Sequence, residues 1–186
     1  MNRSYTDLQN KKIAEEEYDD TLKVGSPMII RDGNNILTVG IVKEKFHYII
    51  SGLDGYVVEN PETKEVIVLF QGSKQPFSLG GLIDWGLNDF PMAKNIFLQY
   101  QAATPQLYAA ANKLNQILRD YPEAQISLYA HSLGGMDAQF ALANVTDPSR
   151  IKEAHIYQTP NIYMQLTPAQ KKTVDLLKYR IHNYVD

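Results

Sequence analysis

The stretch that decides the fold is Tyr129-Ala130-His131-Ser132-Leu133-Gly134-Gly135. It follows an apolar run, Ile126 to Ala130, and precedes a helix-forming run, Met136 to Ala143. This order predicts a strand, a sharp turn with a serine at its apex, and a helix. Side chains that flank the apex must be small, because larger ones would collide across the turn. The alanine and the two glycines of the stretch meet that requirement.

A serine on such a turn is typical of the nucleophile elbow, usually written G-x-S-x-G, in which the hydroxyl stands clear of the sheet edge. Ala130 replaces the leading glycine. Ser132 is therefore the candidate nucleophile. The backbone N–H of Leu133 is expected at the helix N-terminus, where it can donate to a developing oxyanion. The alternative is that Ser132 is only the N-cap of the helix.

Composition limits the classes of function. The chain has 186 residues, of which 44% are hydrophobic and 21% charged, as expected for one globular domain. Its net charge of −3 and its lack of a lysine- or arginine-rich stripe give no reason to expect nucleic acid as a partner. The absence of cysteine excludes disulfides and thiolate metal sites. No metal-ligand spacing is present, so no cofactor and no metal are expected.

The chain also carries no obvious targeting signal. The first twenty residues are polar and acidic and lack the apolar core of a secretory signal peptide. No run approaches the roughly 20 apolar residues of a membrane span. A cytoplasmic location and export without a signal peptide both remain open.

Alternating helix and strand patterns predict an α/β fold, with a mostly parallel central sheet and helices on both faces. Strands are expected at 36–42, 46–50, 56–59, 65–70, 126–130, 154–157 and 179–184. The strands at 56–59 and 65–70 form a β-hairpin, and the second is apolar throughout, as in a strand covered on both faces. Helices are expected at 4–18, 104–119, 136–143 and 167–177, the last with Thr167 as N-cap.

Several motifs then occur in a fixed order. Val66-Ile67-Val68-Leu69-Phe70-Gln71-Gly72-Ser73 resembles an apolar strand ending in F-R-G-[ST], and Asp84-Trp85-Gly86-Leu87-Asn88-Asp89 resembles a W-x-x-D element. The elbow resembles G-H-S-L-G-G-A, a Thr159-Pro160 turn follows, and Tyr179-Arg180-Ile181-His182-Asn183-Tyr184-Val185-Asp186 resembles Y-R-x-x-N-x-x-D. Over residues 56–186 the chain thus resembles the class 3 lipases, the α/β-hydrolases typified by fungal triacylglycerol lipases, and their bacterial relatives. The first fifty or so residues do not carry the resemblance clearly.

The resemblance implies an α/β-hydrolase fold and assigns roles to individual residues. Ser132 corresponds to the nucleophile and Asp186 to the acid of the catalytic triad. Leu133 and Ser73 correspond to the donors of the oxyanion hole. Asp186 is expected at the carboxyl end of a strand next to the elbow strand, where it could orient a histidine. Ser73 as a simple turn residue and Asp186 as a solvated residue are the alternatives.

The sequence departs from the family at two points. Gln71 stands where the family has arginine, and all four histidines precede Asp186, whereas the family's triad histidine follows the aspartate. We therefore expect a single domain over 1–186 that is C-terminally incomplete. Its first fifty residues (1–50) are then a poorly matched N-terminal extension of the same domain.

The reaction expected from the resemblance is hydrolysis of lipid esters, either glycerides or phospholipids, at a lipid surface. Residues 74–88 are expected to form a lid with glycine hinges that contacts substrate. Its apolar side chains are Phe77, Leu79, Leu82, Ile83, Trp85 and Leu87. A fixed plug is the alternative to a lid, with Trp85 as a packed anchor. A soluble carboxylesterase or thioesterase, and a non-catalytic hydrolase-like binding module, are the alternatives for function.

Overall fold

The computed structural model describes residues 4–71 and 105–185. In these ranges seven strands form one sheet, in the order β1-β2-β3-β4-β5-β6-β7. The strands are β1 (Pro27–Asp32), β2 (Asn35–Tyr48), β3 (Leu53–Glu59), β4 (Val66–Gln71), β5 (Ile126–His131), β6 (Ile151–Tyr157) and β7 (Ile181–Tyr184). The α-helices are α1 (Asp7–Glu15), α2 (Pro105–Asp120), α3 (Leu133–Ala143) and α4 (Pro168–Leu177).

The sheet is mixed, so the predicted mostly parallel sheet is confirmed only in part. The pairings from β1 to β4 are antiparallel. Those from β4 to β7 are parallel. Short turns join the first four strands, and a short turn can only reverse the chain. The helices α3 and α4 connect β5 to β6 and β6 to β7, which gives each connection the length that a parallel crossover needs.

The antiparallel half differs most from the sequence-based prediction. The strands expected at 36–42 and 46–50 are one strand, β2, with a bulge between Val42 and Glu44. The charged residues between the two predicted strands, Lys43, Glu44 and Lys45, are exposed or half-buried. At such positions charged side chains do not interrupt the hydrogen bonds between strands. Ile49 and Ile50 lie in the turn after β2 and not in a strand. The short strand β1 was not predicted.

The core lies on both faces of the sheet, because alternate residues of β3, β4 and β5 point to opposite sides. On one face, Val66, Val68 and Phe70 pack with the buried residues of α2 and α3. On the other face, Ile67 and Leu69 pack with Ile13 and Ala14 of α1. All six residues of β4 are buried, which confirms the strand predicted to be covered on both faces.

The helix boundaries follow the capping residues. Thr167 caps α4 with a reciprocal hydrogen-bond pair to Gln170, and Pro168 occupies the first helical position, as predicted. Thr6 caps α1 with the same arrangement, and a 3₁₀ turn, Glu16–Tyr18, continues that helix. Among the described residues there is no helix both long and apolar enough to span a membrane.

Candidate active site

Ser132 lies between β5 and α3, at the carboxyl edge of the parallel strands. Its backbone has φ 53° and ψ −123°, a conformation that residues other than glycine rarely adopt. Such a conformation costs about 1–3 kcal/mol and persists only where neighbours fix it. The strand, turn and helix predicted around this serine are therefore present, with the strain expected of a nucleophile elbow.

Three hydrogen bonds to the backbone groups of Ser132 hold the apex of the elbow. The N–H of Ser132 donates to the Tyr157 carbonyl oxygen at 2.9 Å. The carbonyl oxygen of Ser132 accepts from the Thr159 hydroxyl at 2.7 Å and from the Gly135 N–H at 3.1 Å. The side chain of Ser132 makes no capping hydrogen bond to the described helix, and the residue is half-buried. Ser132 thus occupies the N-cap position of α3 without using its side chain as a cap.

The two glycines after Ser132 allow the helix to begin close to the sheet. A Cβ on Gly134 would stand 2.2 Å from the backbone oxygen of Phe70 in β4. A Cβ on Gly135 would stand 2.0 Å from the Thr159 hydroxyl oxygen. Both separations are far below any van der Waals contact, so the start of α3 tolerates no side chain at either position.

Leu133 is the first residue of α3, so its N–H has no acceptor within the helix and lies at the positive end of the helix dipole. This is the position predicted for one oxyanion donor. β4 ends at Gln71 beside this helix start. Ser73, predicted as the second donor, lies outside the described residues, as do Phe77, Leu79, Leu82, Ile83 and Trp85 of the expected lid.

β7 leads toward Asp186, which itself lies outside the described residues. The expectation that this strand is next to the elbow strand is wrong, because β6 lies between β5 and β7. β7 is parallel to β6, with Tyr184 paired with Tyr157, so its carboxyl end reaches the same edge as Ser132. The sequence order of the strands could not reveal this spacing, since it depends on which strands pair.

None of the four histidines makes a hydrogen bond with the Ser132 hydroxyl within the described structure. His131 is held by the Tyr18 hydroxyl at 3.1 Å and the Gln158 side-chain oxygen at 2.7 Å. His155 is buried and stacks on Tyr129, with ring centroids 5.3 Å apart. His155 also stacks on His182, with centroids 4.9 Å apart.

His47 pairs with Asp54 at the start of β3. Each of the four imidazoles thus contacts other side chains in the described structure.

The loop after β6, which contacts the elbow through Thr159, is fixed from two sides. The side-chain amide of Gln139 in α3 donates to the Pro160 carbonyl oxygen at 2.9 Å and accepts from the Ile162 N–H at 3.0 Å. The Asn183 amide of β7 donates to the Thr159 carbonyl oxygen at 3.2 Å. The loop beside Ser132 is therefore hydrogen-bonded to both α3 and β7.

Two buried acids near the site were missed by the sequence analysis. Glu17 follows α1 and is fully buried, and its carboxylate accepts from the backbone N–H of His131 at 3.1 Å. Asp137 in α3 is buried and accepts from the Gln106 side-chain amide at 2.7 Å. Burial raises the pKa of Asp137 to about 8, despite the opposing effect of that hydrogen bond. The sequence does carry a signal for the burial of Asp137, because it is the one charged residue of an otherwise uncharged helix.

The fold has counterparts among solved structures. A mutant of MDLA from Penicillium cyclopium has a TM-score of 0.51 and 17% identity, over 99% of this chain and 72% of that one. A triacylglycerol lipase from Penicillium expansum has a TM-score of 0.49 and 16% identity, over 95% and 67% of the two chains. The Rhizomucor miehei lipase, solved as a propeptide complex, has a TM-score of 0.48 and 15% identity, over 85% and 55%. At these identities the likeness concerns the fold alone.

The mixed sheet and the strand–elbow–helix place the chain in the class of α/β proteins with a hydrolase-like fold. The chain belongs to the Mbeg1-like family, whose model matches residues 56–185. That match covers the region in which the sequence motifs occur. No curated protein matches the sequence.

Proposed function

We propose that this protein is a serine hydrolase that cleaves lipid esters, with Ser132 as the nucleophile. The observation that carries the proposal is the elbow itself. Ser132 is held in a strained backbone conformation between a buried strand and a helix N-terminus, and its side chain is not used to cap that helix. Strain of this kind at a single serine is typical of positions where a side chain must be presented to substrate.

The proposed reaction is acyl transfer. The Ser132 oxygen attacks the ester carbonyl carbon while its proton passes to a general base, and the tetrahedral oxyanion accepts hydrogen bonds from the Leu133 N–H and from Ser73. The carbon–oxygen bond to the alcohol then breaks, and the alcohol leaves with the proton from the base. Water repeats the sequence on the acyl-enzyme and releases the carboxylic acid.

In this proposal the general base is a histidine that follows Asp186 in a longer protein, oriented by the Asp186 carboxylate. The engagement of the four histidines of this sequence with other partners supports placing the base elsewhere. The same observation favours the second candidate, a non-catalytic module that has kept the hydrolase fold. Covalent labelling of the serine separates the two, because only the enzyme activates the hydroxyl.

The test is labelling of the full-length protein with a fluorophosphonate probe. We expect labelling of the wild type and of Ser149→Ala, an exposed serine distant from the elbow, and none of Ser132→Ala. Labelling that survives in Ser132→Ala would remove Ser132 as the nucleophile. A wild type that never labels would support the non-catalytic module.

The lipid substrate is a separate part of the proposal. Hydrolysis of a short-chain ester that accelerates once the substrate forms aggregates would support a lipid esterase. A rate that follows only the monomer concentration would instead identify a soluble carboxylesterase or thioesterase.

A further inference from the structure

The turn between β2 and β3, residues 48–52, is called the hairpin tip here. Its two isoleucines are among the most exposed apolar side chains that the structure describes, with Ile49 83% and Ile50 97% exposed. Tyr48, which begins the tip, is 37% exposed. Two adjacent isoleucines that project into solvent are unfavourable in water, since each leaves most of its apolar surface hydrated. Such a feature indicates a contact with something apolar.

The hairpin tip is a closed turn. The N–H of Gly52 donates to the Tyr48 carbonyl oxygen at 2.7 Å, and Gly52 has φ +75°. Directly beneath the turn, Phe46 and Leu53 are buried in the core. The isoleucines are therefore presented by an anchored hairpin.

The hairpin tip projects from the edge of the sheet that carries Ser132. β3 is antiparallel to β4, and Asp54 at the start of β3 pairs with Gln71, the last residue of β4. β4 is parallel to β5, which ends at the elbow. The hairpin tip and the nucleophile therefore lie at the same edge of the sheet.

Other exposed apolar side chains lie along the same edge. They are Tyr18 beside His131, Tyr108 near the start of α2, Met164 after β6 and Val185 after β7. The opposite edge also has exposed apolar residues, among them Ile36, which follows the β1–β2 turn and is 60% exposed. The pair of isoleucines at a projecting turn is therefore what distinguishes the Ser132 edge, and Ile36 is a matched control on the opposite edge.

The chemistry of the hairpin tip favours a lipid bilayer over a charged partner. Residues 48–53 carry no charged side chain, and the neighbouring His47 and Asp54 are paired with each other. A tyrosine at the base of two aliphatic side chains is the arrangement favoured at a membrane–water interface.

We propose that the hairpin tip inserts Ile49 and Ile50 into the surface of a phospholipid bilayer and holds the Ser132 edge against it. The function of this insertion rests on the proposed lipid ester hydrolase, because a nucleophile held at the membrane can reach lipid esters that stay in the bilayer. The insertion itself does not depend on catalysis, so the two can be tested separately.

The experiment measures sedimentation of the full-length Ser132→Ala protein with phosphatidylcholine vesicles. Replacing Ile49 and Ile50 together by serine is expected to weaken partitioning about tenfold or more, since two aliphatic side chains lose their transfer into the bilayer. Ile36→Ser is expected to leave partitioning unchanged. Because the hairpin tip is uncharged, raising the salt concentration from about 0.1 M to about 1 M should not release the protein with its native hairpin tip from the vesicles.

A second measurement reports insertion directly. Tryptophan fluorescence of an Ile50→Trp variant should be quenched by brominated phosphatidylcholine more strongly than that of Ile36→Trp, with the native Trp85 present equally in both. Equal quenching of the two variants would overturn the proposal. So would vesicle binding that survives the double serine substitution.

A third outcome is also decisive. If the double serine variant lowers the melting temperature and leaves vesicle binding intact, the isoleucines are covered by another part of the chain, and the proposal fails. Failure here leaves fluorophosphonate labelling of Ser132 unaffected. Failure of labelling with retained vesicle binding would instead remove the proposed enzyme and keep the membrane contact.

Discussion

The two faces of the central sheet are packed by different chemistry. The face under α2 and α3 is apolar, and α3 approaches the sheet so closely that Gly134 nearly touches the backbone of β4. The face under α1 has an apolar core as well, but it adds tyrosines and histidines, such as Tyr129 and His155, whose rings stack from strand to strand. This second face, called the polar face below, combines apolar packing with polar and aromatic contacts between residues distant in sequence.

The largest expected effect concerns the apolar face. Gly134→Ala places a Cβ against the backbone oxygen of Phe70, which cannot move without shifting β4. We expect a loss of about 3 kcal/mol or more in the free energy of unfolding, together with displacement of the elbow. The measurement is urea denaturation followed by circular dichroism.

Gly33→Ala is the control for this change, because no atom lies within 4 Å of its Cβ position. Its φ of +61° alone should cost about 1–2 kcal/mol. Equal losses in the two variants would show that the close approach of α3 to the sheet does not matter for stability.

An intermediate effect is expected from Asp137, the one acid buried in α3. Burial raises its pKa to about 8, far above the ordinary value of an aspartate, so the folded protein holds this proton more tightly than the unfolded chain. The resulting stability is complete below about pH 4 and is lost as the pH rises to about 8, by up to about 1.4 kcal/mol per pH unit. Above that pH the carboxylate is charged in both states and the contribution stays constant.

Asp137→Asn removes this proton while keeping an oxygen that can accept from Gln106. We expect the variant to gain stability relative to the wild type between about pH 5 and about pH 9, measured by urea midpoints. Glu16, whose pKa burial and its acidic neighbours raise to about 7, titrates in the same window in both proteins. The difference between the two curves therefore isolates Asp137, and parallel curves would mean that its pKa is not raised.

The contrast between the faces also explains what the sequence could predict. Long apolar runs and helical periodicity located β4, β5 and α2. The apolar residues of α2 that recur at helical spacing are all buried, namely Leu107, Ala110, Ala111, Leu114, Ile117 and Leu118. Local capping chemistry fixed the start of α4. These features depend on neighbours in sequence, so reading the sequence alone sufficed.

The features that were missed depend on contacts between distant residues. Glu17 is buried because the elbow strand supplies an N–H at His131. β7 is separated from β5 because β6 pairs between them. Ile49 and Ile50 have the residue type of a strand, so the sequence predicted one there. They lie in the turn because β2 ends at Tyr48. For the site, the elbow was predicted with its geometry, whereas the roles of Ser73 and Asp186 stay predictions.

The smallest expected effect concerns the polar face, where the Tyr129 hydroxyl donates to the Asn10 side-chain oxygen of α1 at 2.9 Å. Tyr129→Phe keeps the ring stacked on His155 and leaves a buried acceptor without its donor, so we expect a loss of about 1–2 kcal/mol. Tyr108→Phe, on an exposed ring, should stay within about 0.5 kcal/mol of the wild type.

A double-mutant cycle of Tyr129→Phe with Asn10→Ala tests whether α1 is part of the same cooperative unit as the elbow strand. Coupling of about 1 kcal/mol is expected, because each substitution removes the same hydrogen bond. Additive losses would mean that α1 does not dock on the sheet in solution. The polar face of the sheet would then be exposed to solvent. Its tyrosines and histidines would be explained by contact with water and not by contact with α1. Such a result would also separate α1 from the sheet that carries Ser132, while β1 and β2 remain part of it.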